Sequence, residues 1–315
     1  MVARRPLARH CSRTRCRPDG TGSAEFQVLG KHFLSVTISL ENARRSPRTP
    51  SATTSTVNPT YQLRFANSRS EVEAAQRLRH EVFSAELGAV TTGRPGRDED
   101  PFDDLCDHLI VWQITPGVLD PDADGTPDAS TSTEQAVATY RLLPPNANDA
   151  TPRSHGLYSS GEFNLEPLEH LMDSLVEAGR ACVHPDHRNG ATMALLWGGI
   201  ARYMQLGGYR YLLGCGSVSL ADGGAEAAAV WDVVRRNNMG PVRHWCSPRK
   251  PWHVPAVQAE PTAVPALMKG YLRLGATIVG APCHDPGFNT ADLLILLDLE
   301  DANERYLKFF LGAGA

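Results

Sequence analysis

The sequence predicts an α/β fold built around a sheet of mixed strand direction. Short apolar runs such as HLIVWQI at 108–114 and ADLLILLDL at 291–299 are typical of buried strands. Longer amphipathic runs, such as ATMALLWGGIARYMQLGG at 191–208, end in glycine as helices do. Because the two kinds of run follow one another in the order β-α-β-β-β-α-β-α-(α)-β, without an internal repeat, we expect one domain with helices packed on a sheet.

The individual elements follow from periodicity and from capping signals. YQLRFA at 61–66 alternates like a first strand, and the next segment opens with Ser70 and Glu73, a Ser-x-x-Glu pair that predicts a helix start. Strands are also predicted at 108–114, 136–143, 174–183, 209–218 and 291–299, and helices at 191–208, 222–237, 264–276 and 302–311.

The first 58 residues differ in composition from the rest. They hold 10 Arg or Lys against 3 Asp or Glu, whereas the remainder holds 21 against 32. We predict a disordered basic tail or a start codon placed too early, with a transit peptide as an alternative. The domain is then residues 59–315. Within it, the loop after 115 contains DPDADG, which resembles a calcium loop, but its twelfth position is Thr131 rather than Glu, so we predict a flexible hairpin loop.

Composition limits the function. An acidic body argues against nucleic acid as a partner and suits a small cationic substrate. No run of about 18 apolar residues is present, so no membrane span is predicted. The seven cysteines are dispersed, odd in number and without a CxxC pair, which predicts reduced thiols in the cytoplasm and no metal site.

One stretch, EAGRACVHPDHRNGATMALLW at 177–197, carries an arginine loop between a strand and a helix. The N–H groups at a helix start are a natural seat for phosphate. The stretch resembles the acyl-cofactor motif of the GNAT acyltransferases, whose pattern is Arg/Gln-x-x-Gly-x-Gly/Ala. The resemblance implies that acyl-phosphopantetheine is a co-substrate, that no cofactor is bound permanently, and that the donor is held by Cys182, Val183, Arg188, Asn189, Gly190, Ala191, Thr192 and Met193.

Ala191 and Met193 stand where the family has its two glycines. A pyrophosphate would be crowded there, whereas acyl carrier protein presents a single phosphodiester. We therefore expect acyl carrier protein as the donor and keep acyl-coenzyme A as a second possible donor; a plain βα turn with a surface arginine is the alternative to a phosphate site. The same resemblance implies a GNAT-like (acyl-CoA N-acyltransferase) fold with a mixed, mostly antiparallel central sheet flanked by helices.

A second set of charged residues precedes the loop. In order and spacing it is similar to the autoinducer synthases, which are GNAT-fold enzymes that acylate the amine of S-adenosylmethionine from acyl carrier protein. The matching residues are Arg79, Phe83, Asp100, Asp103, Arg141, Glu177 and Arg180.

The whole of about 61–312 resembles a closer family, the ornithine Nα-acyltransferases of ornithine-lipid synthesis. The blocks that carry this resemblance are GRDEDPFDDLCDHLIV, GLYSSGEFNLEPLE, GRACVHPDHRNGATMALLW, YLLGCGSV and PALMKGYLRLGA…HDPGFNTADLLILLDL. The resemblance implies transfer of a (3-hydroxy)fatty acyl group from acyl carrier protein to the α-amine of ornithine, giving lyso-ornithine lipid. The alternatives are an autoinducer-type acyl-homoserine-lactone synthase and a non-catalytic acyl-binding GNAT module.

The chemistry suggests roles for these residues. An ammonium must lose protons before it attacks a thioester, and Glu177 is the candidate base, with a structural pair to Arg180 as the alternative. Residues three apart face opposite sides of an ideal strand, so a direct pair requires a bulge. Asp100 and Asp103 are candidates for the cationic end of an amino acid, and Arg141 for its carboxylate.

Two surfaces complete the predictions. Residues 235–250 contain Arg235, Arg236, Arg243, Arg249 and Lys250 and no acidic residue, which predicts docking of an acidic carrier protein, with anionic lipid headgroups or a solvated loop as alternatives. The last helix carries Tyr306, Leu307, Phe309 and Phe310. It can rest on the inner face of a membrane, although packing on the core is the expected use of this face.

Overall fold

A single ten-stranded sheet organises the protein. The computed structural model describes residues 22–28, 34–40, 60–115, 132–145, 156–255 and 264–311. The strands are β1 (Gly22–Val28), β2 (Leu34–Leu40), β3 (Thr60–Phe65), β4 (Asp107–Thr115), β5 (Thr133–Leu143), β6 (Leu175–Val183), β7 (Tyr211–Ser219), β8 (Thr277–Ile278), β9 (Cys283–Asp285) and β10 (Thr290–Asp298). Five helices accompany them: α1 (Arg69–Leu87), α2 (Gly190–Gly207), α3 (Ala225–Asn237), α4 (Ala266–Leu274) and α5 (Glu304–Leu311).

The sheet is antiparallel except at one junction. Its order is β1-β2-β3-β4-β5-β6-β7-β10-β8, with β9 paired to β10. Among the strands of the described residues, only β6 and β7 run parallel, and their ladder is short, joining Leu175–Glu177 to Tyr211–Leu213. A parallel pair needs a crossover, and α2 supplies it. The predicted mixed, mostly antiparallel sheet is therefore confirmed.

The main core lies between the sheet and α2, α3 and α4. Leu63, Leu109 and Val111 from the sheet pack with Trp197 and Ile200 from α2, and all five are buried. Gly199 lets α2 approach closely, because a Cβ there would lie 2.5 Å from the Leu63 side chain. Tyr306 of α5 also packs against this core, as expected for the last helix.

Two predictions about the chain before α1 need correction. Residues 1–58 were expected to lie outside the fold, but β1 and β2 lie within that range and extend the sheet, with β2 antiparallel to β3. LSVTISL alternates apolar and polar residues, a strand signal that the Arg- and Pro-rich surroundings obscure. The N-cap of α1 is Ser68 rather than Ser70: its side chain accepts from the Glu71 amide.

Other expectations fall outside the described residues or concern membranes. The DPDADG loop lies outside them, so the calcium and hairpin readings keep their status as predictions. Among the helices of the described ranges, none has the length and apolar character needed to cross a membrane. The five cysteines from Cys106 onward are free thiols, as predicted from their spacing.

Candidate active site

A cavity of about 250 Å³ lies where β6 and β7 separate beyond their short ladder. Residues 178–181 of β6 and 215–217 of β7 face it, and α4 contributes Met268 and Tyr271. The Tyr271 hydroxyl lies 2.5 Å from that of Tyr140 on β5, and both side chains are buried. The cavity therefore has an apolar, tyrosine-lined part next to exposed strand backbone, which suits an acyl thioester.

A β-bulge shapes the β6 side of this cavity. The register passes from Thr139 opposite Cys182 to Arg141 opposite Gly179, so two residues of β6 face Tyr140 alone. Arg180, one of those two, has a φ of 47°, which side-chain-bearing residues adopt rarely. The bulge turns the Arg180 side chain out of strand alternation and into the cavity wall.

Three arginines and three aspartates form a buried ionic network beside the cavity. Arg79 of α1 contacts Asp98 at 2.8 Å and Asp103 at 2.7 Å. Arg141 contacts Asp100 at 2.7 Å and Asp103 at 3.1 Å. Arg180 contacts Asp98 and Asp100, both at 3.2 Å. Each arginine thus bridges two aspartates, and the charges of these six groups cancel.

The network holds Asp103 ionised. Burial raises the pKa of Asp103, but hydrogen bonds from Arg79 and the charges of Arg79 and Arg141 outweigh it, and the pKa falls to about 2. For Arg141, burial favours the neutral form, yet the charge of Asp100 raises its pKa above the ordinary value. Asp103 and Arg141 therefore form a charged pair at neutral pH.

The structure brings most of the residues predicted for the amino-acid substrate close together. Arg79, Asp100, Asp103, Arg141 and Arg180 all meet in the network. Their geometry adds a distinction, because Arg141 and Arg180 line the cavity whereas the aspartates lie behind them. Phe83 also lines it, with its ring 5.7 Å from that of Phe288.

Glu177 lies in the cavity wall and is bound to a neighbouring turn. One carboxylate oxygen accepts from the Ser159 amide at 2.8 Å and the Ser159 hydroxyl at 2.6 Å, and the other accepts from the Tyr158 amide at 2.7 Å. Burial raises the pKa of Glu177 despite these bonds. The bulge required for a Glu177–Arg180 pair exists, but the Arg180 guanidinium contacts Asp98, Asp100 and the Tyr158 hydroxyl instead.

A group of carboxyls that sequence reasoning did not single out also lines the cavity. Glu162, Asp285 and Asp292 each place a carboxyl oxygen within 4.8 Å of the others. Burial, and then the charge of Asp292, raise the pKa of Glu162 to about 8. The sequence does contain one indication of this group. Asp292 interrupts an otherwise apolar strand, and burying a charged side chain is costly unless it has a partner or a function.

The loop expected to hold the donor phosphate has its own internal bonds. Asn189 caps α2, and its side-chain oxygen accepts from the Ala191 and Thr192 amides at 3.0 Å. Arg188 pairs with both carboxylate oxygens of Glu86 and donates to the Val183 carbonyl. Cys182 is buried in the small cluster under α1. The loop has the expected position beside the β6–β7 opening, and its phosphate-facing role stays a prediction.

The basic segment predicted for docking is only partly free. Asp232, three and four residues earlier on α3, pairs with both Arg235 and Arg236. Arg249 donates to the Ser160 carbonyl at 2.7 Å. Lys250 lines a second, more open cavity of about 390 Å³, which shares Tyr158 and Glu162 with the first.

Comparisons with known proteins show which family the chain is similar to. A family model described as an acetyltransferase (GNAT) domain matches residues 78–198. Two relatives are named L-ornithine N(alpha)-acyltransferase. The protein from Brucella abortus is 31% identical, and the match covers 79% of this chain and 88% of that protein. The protein from Rhizobium meliloti is 34% identical, and the match covers 81% of this chain and 85% of that protein. Among solved structures, an N-acyl amino acid synthase from uncultured soil microbes matches with a TM-score of 0.43 and 12% identity, covering 78% of this chain and 93% of that one.

The sheet order, the separated parallel strands and the matched domain define a protein of the GNAT acyltransferase class. Within that class, the identity shared over about four fifths of the chain shows that it belongs to the L-ornithine N(alpha)-acyltransferase family. The family predicted from the sequence is thus confirmed.

Proposed function

We propose that this protein transfers a (3-hydroxy)fatty acyl group from acyl carrier protein to the α-amine of ornithine and forms lyso-ornithine lipid. The observation that carries the proposal is the charge arrangement of the inner cavity. The cavity is lined by the guanidiniums of Arg141 and Arg180 and by the carboxyls of Glu162, Asp285 and Asp292. An amino acid with one carboxylate and two amines can pair with both kinds of charge. Ornithine, the acceptor in the relatives' name, is such an amino acid.

The donor assignment rests on the loop before α2. In this proposal the donor phosphate binds at Arg188 and at the start of α2 at Gly190, and the acyl chain enters between β6 and β7. Ala191 and Met193 leave less room than glycines, which favours the single phosphodiester of a carrier protein. To bind phosphate, Arg188 must break its ion pair with Glu86. An exposed ion pair of this kind contributes only about 1 kcal/mol or less to stability.

The experiment that tests the function is a mass spectrum of products from the purified chain. The protein is incubated with 3-hydroxyacyl carrier protein, or the matching acyl-coenzyme A, and a panel of amines containing ornithine, lysine, norvaline and S-adenosylmethionine. We expect acyl-ornithine in largest yield, formed from the carrier-protein donor. A lactone product would instead indicate an autoinducer-type synthase, and donor binding without transfer to any amine would indicate a binding module.

We place carrier-protein docking on Arg243, Arg249 and Lys250, because Asp232 already neutralises Arg235 and Arg236. The variant Arg243→Glu should raise KM for the acyl carrier protein roughly tenfold and leave kcat unchanged, since surface charges act on encounter. Arg305→Glu, on exposed α5, is the matched control. Equal KM values for the variant and the control would remove this surface from the proposal.

A further inference from the structure

The acceptor amine needs a proton acceptor inside the cavity, and the hydrogen bonds separate the candidates. Glu177 already accepts three hydrogen bonds from the 158–159 turn. Asp285 accepts from the Gly287 and Phe288 amides, and Asp292 from the Thr290 hydroxyl. A proton taken up by one of these three carboxylates would compete with donors that hold the fold together.

Glu162 has different partners from Glu177. Its carboxylate accepts from the Cys215 thiol at 3.3 Å, a weak donor, and its side chain also shares a hydrogen bond with the Asp292 carboxyl. Its backbone is firmly held, because its carbonyl accepts from the Arg249 amide at 2.7 Å and from the Cys283 thiol. The residue thus combines a fixed main chain with a carboxyl that needs a proton to donate the hydrogen bond to Asp292, so taking up a proton there does not displace backbone donors.

Glu162 also lies at the boundary between two spaces. It lines the inner cavity, where the β6 backbone and the guanidiniums are, and it lines the more open second cavity as well. A proton taken from a substrate in the inner cavity can therefore leave toward solvent on the other side. Of the two cavities described, Glu177 lines the inner one and not the outer one.

We infer that Glu162, rather than Glu177, is the catalytic residue that takes the proton from the acceptor's α-ammonium. This assignment rests on the proposed function. An N–H bond breaks and an O–H bond forms on Glu162, and the neutral amine attacks the thioester carbon. The C–N bond forms, the C–S bond breaks, and the second amine proton passes to the departing sulfur. Glu162 then releases its proton through the outer cavity, which balances the reaction.

The charges around Glu162 fit this role. Its pKa of about 8 results from burial first and from Asp292 second, so roughly a tenth of the group is ionised at pH 7. A base with a pKa near the working pH combines a usable ionised fraction with a strong affinity for the proton. The titratable or charged groups that face it are Asp285, Asp292, Cys215, Cys283, Tyr158, His284 and Lys250.

The test compares Glu162→Gln with Glu177→Gln and with Glu169→Gln, an exposed control nearby in the chain. With ornithine at saturation, we expect Glu162→Gln to lower kcat about 100-fold, within the usual range for a lost general base. The wild-type kcat should rise with pH toward a plateau above about 8, and the variant should lose that rise. Glu169→Gln should behave as wild type in both measurements.

A second acceptor separates proton transfer from a structural effect. The aminooxy analogue of ornithine's α-amine is already neutral at pH 7, so Glu162→Gln should lose less than about tenfold with it. Equal losses with both acceptors would overturn the assignment. So would a raised KM for ornithine alone with unchanged kcat, which would make Glu162 an anchor for the side-chain ammonium. Retained activity of Glu162→Gln with loss in Glu177→Gln would return the base to Glu177. Absence of transfer by wild type would count against the proposed function instead.

Discussion

Replacing Arg79 with methionine is expected to lower the free energy of unfolding by about 3–5 kcal/mol. The Arg79 side chain is 1% exposed and bridges Asp98 and Asp103, which are 2% and 3% exposed. Methionine fills a similar volume but removes one guanidinium from both carboxylates. The carboxylates are buried, so water cannot replace that partner. Breaking a buried pair by removing one partner costs far more than the pair itself contributes.

The control is Arg69→Met on the same helix. Arg69 is 74% exposed and pairs with Glu73 at 3.5 Å, so we expect a loss below about 1 kcal/mol. Urea unfolding followed by circular dichroism measures both. Charge balance predicts a further result, namely that Arg79→Met/Asp98→Asn is more stable than Arg79→Met. If Arg79→Met cost no more than Arg69→Met, the network would have no role in stability.

This network also marks the limit of what the sequence could predict. Local pattern located Arg141 and Arg180 in strands and Asp100 and Asp103 in an acidic loop, and the order of these charges indicated a shared site. Pairing depends on how α1, the loop and β6 come together, which no local pattern encodes. The aspartates were therefore expected to face a substrate, whereas three arginines occupy them.

The helix cap and the β-bulge also depend on contacts that the local sequence does not encode. The segment SRSEVE offers two overlapping Ser-x-x-Glu frames, and only tertiary placement of the preceding strand selects Ser68 over Ser70. The bulge at Arg180 follows from pairing with β5, so its turn into the cavity was not readable from EAGRACV. Long apolar strands such as β4 and β10 were predicted to within one residue, because burial on both faces leaves a strong pattern.

The carboxyls of Glu162 and Asp285 were missed for another reason. Glu162 precedes a buried phenylalanine in a short irregular segment, and Asp285 lies in a three-residue strand. Neither setting has a periodicity that distinguishes an inward from an outward side chain. Only the fold brings them to Asp292 of β10.

Gly214 of β7 is expected to be the second position of large effect, because it sets the distance between β6 and β7. A Cβ at Gly214 would lie 2.5 Å from the Ala178 carbonyl oxygen, which is backbone and cannot rotate away. Gly214→Ala should therefore force the two strands apart just beyond their ladder and lower the free energy of unfolding by about 1–3 kcal/mol. It should also lower acyl transfer at a temperature where the variant is fully folded.

Gly179 provides the matched control on the facing strand. A Cβ there meets no atom within 4 Å, and its backbone does not have a positive φ, so Gly179→Ala should leave stability within about 0.5 kcal/mol of wild type. Thermal unfolding and steady-state kinetics with the same acyl donor measure both variants. If Gly214→Ala were as stable and as active as wild type, the spacing of β6 and β7 would not depend on this glycine. A stable but inactive Gly214→Ala would instead mean that the strands yield without unfolding, and that the spacing matters to the thioester alone.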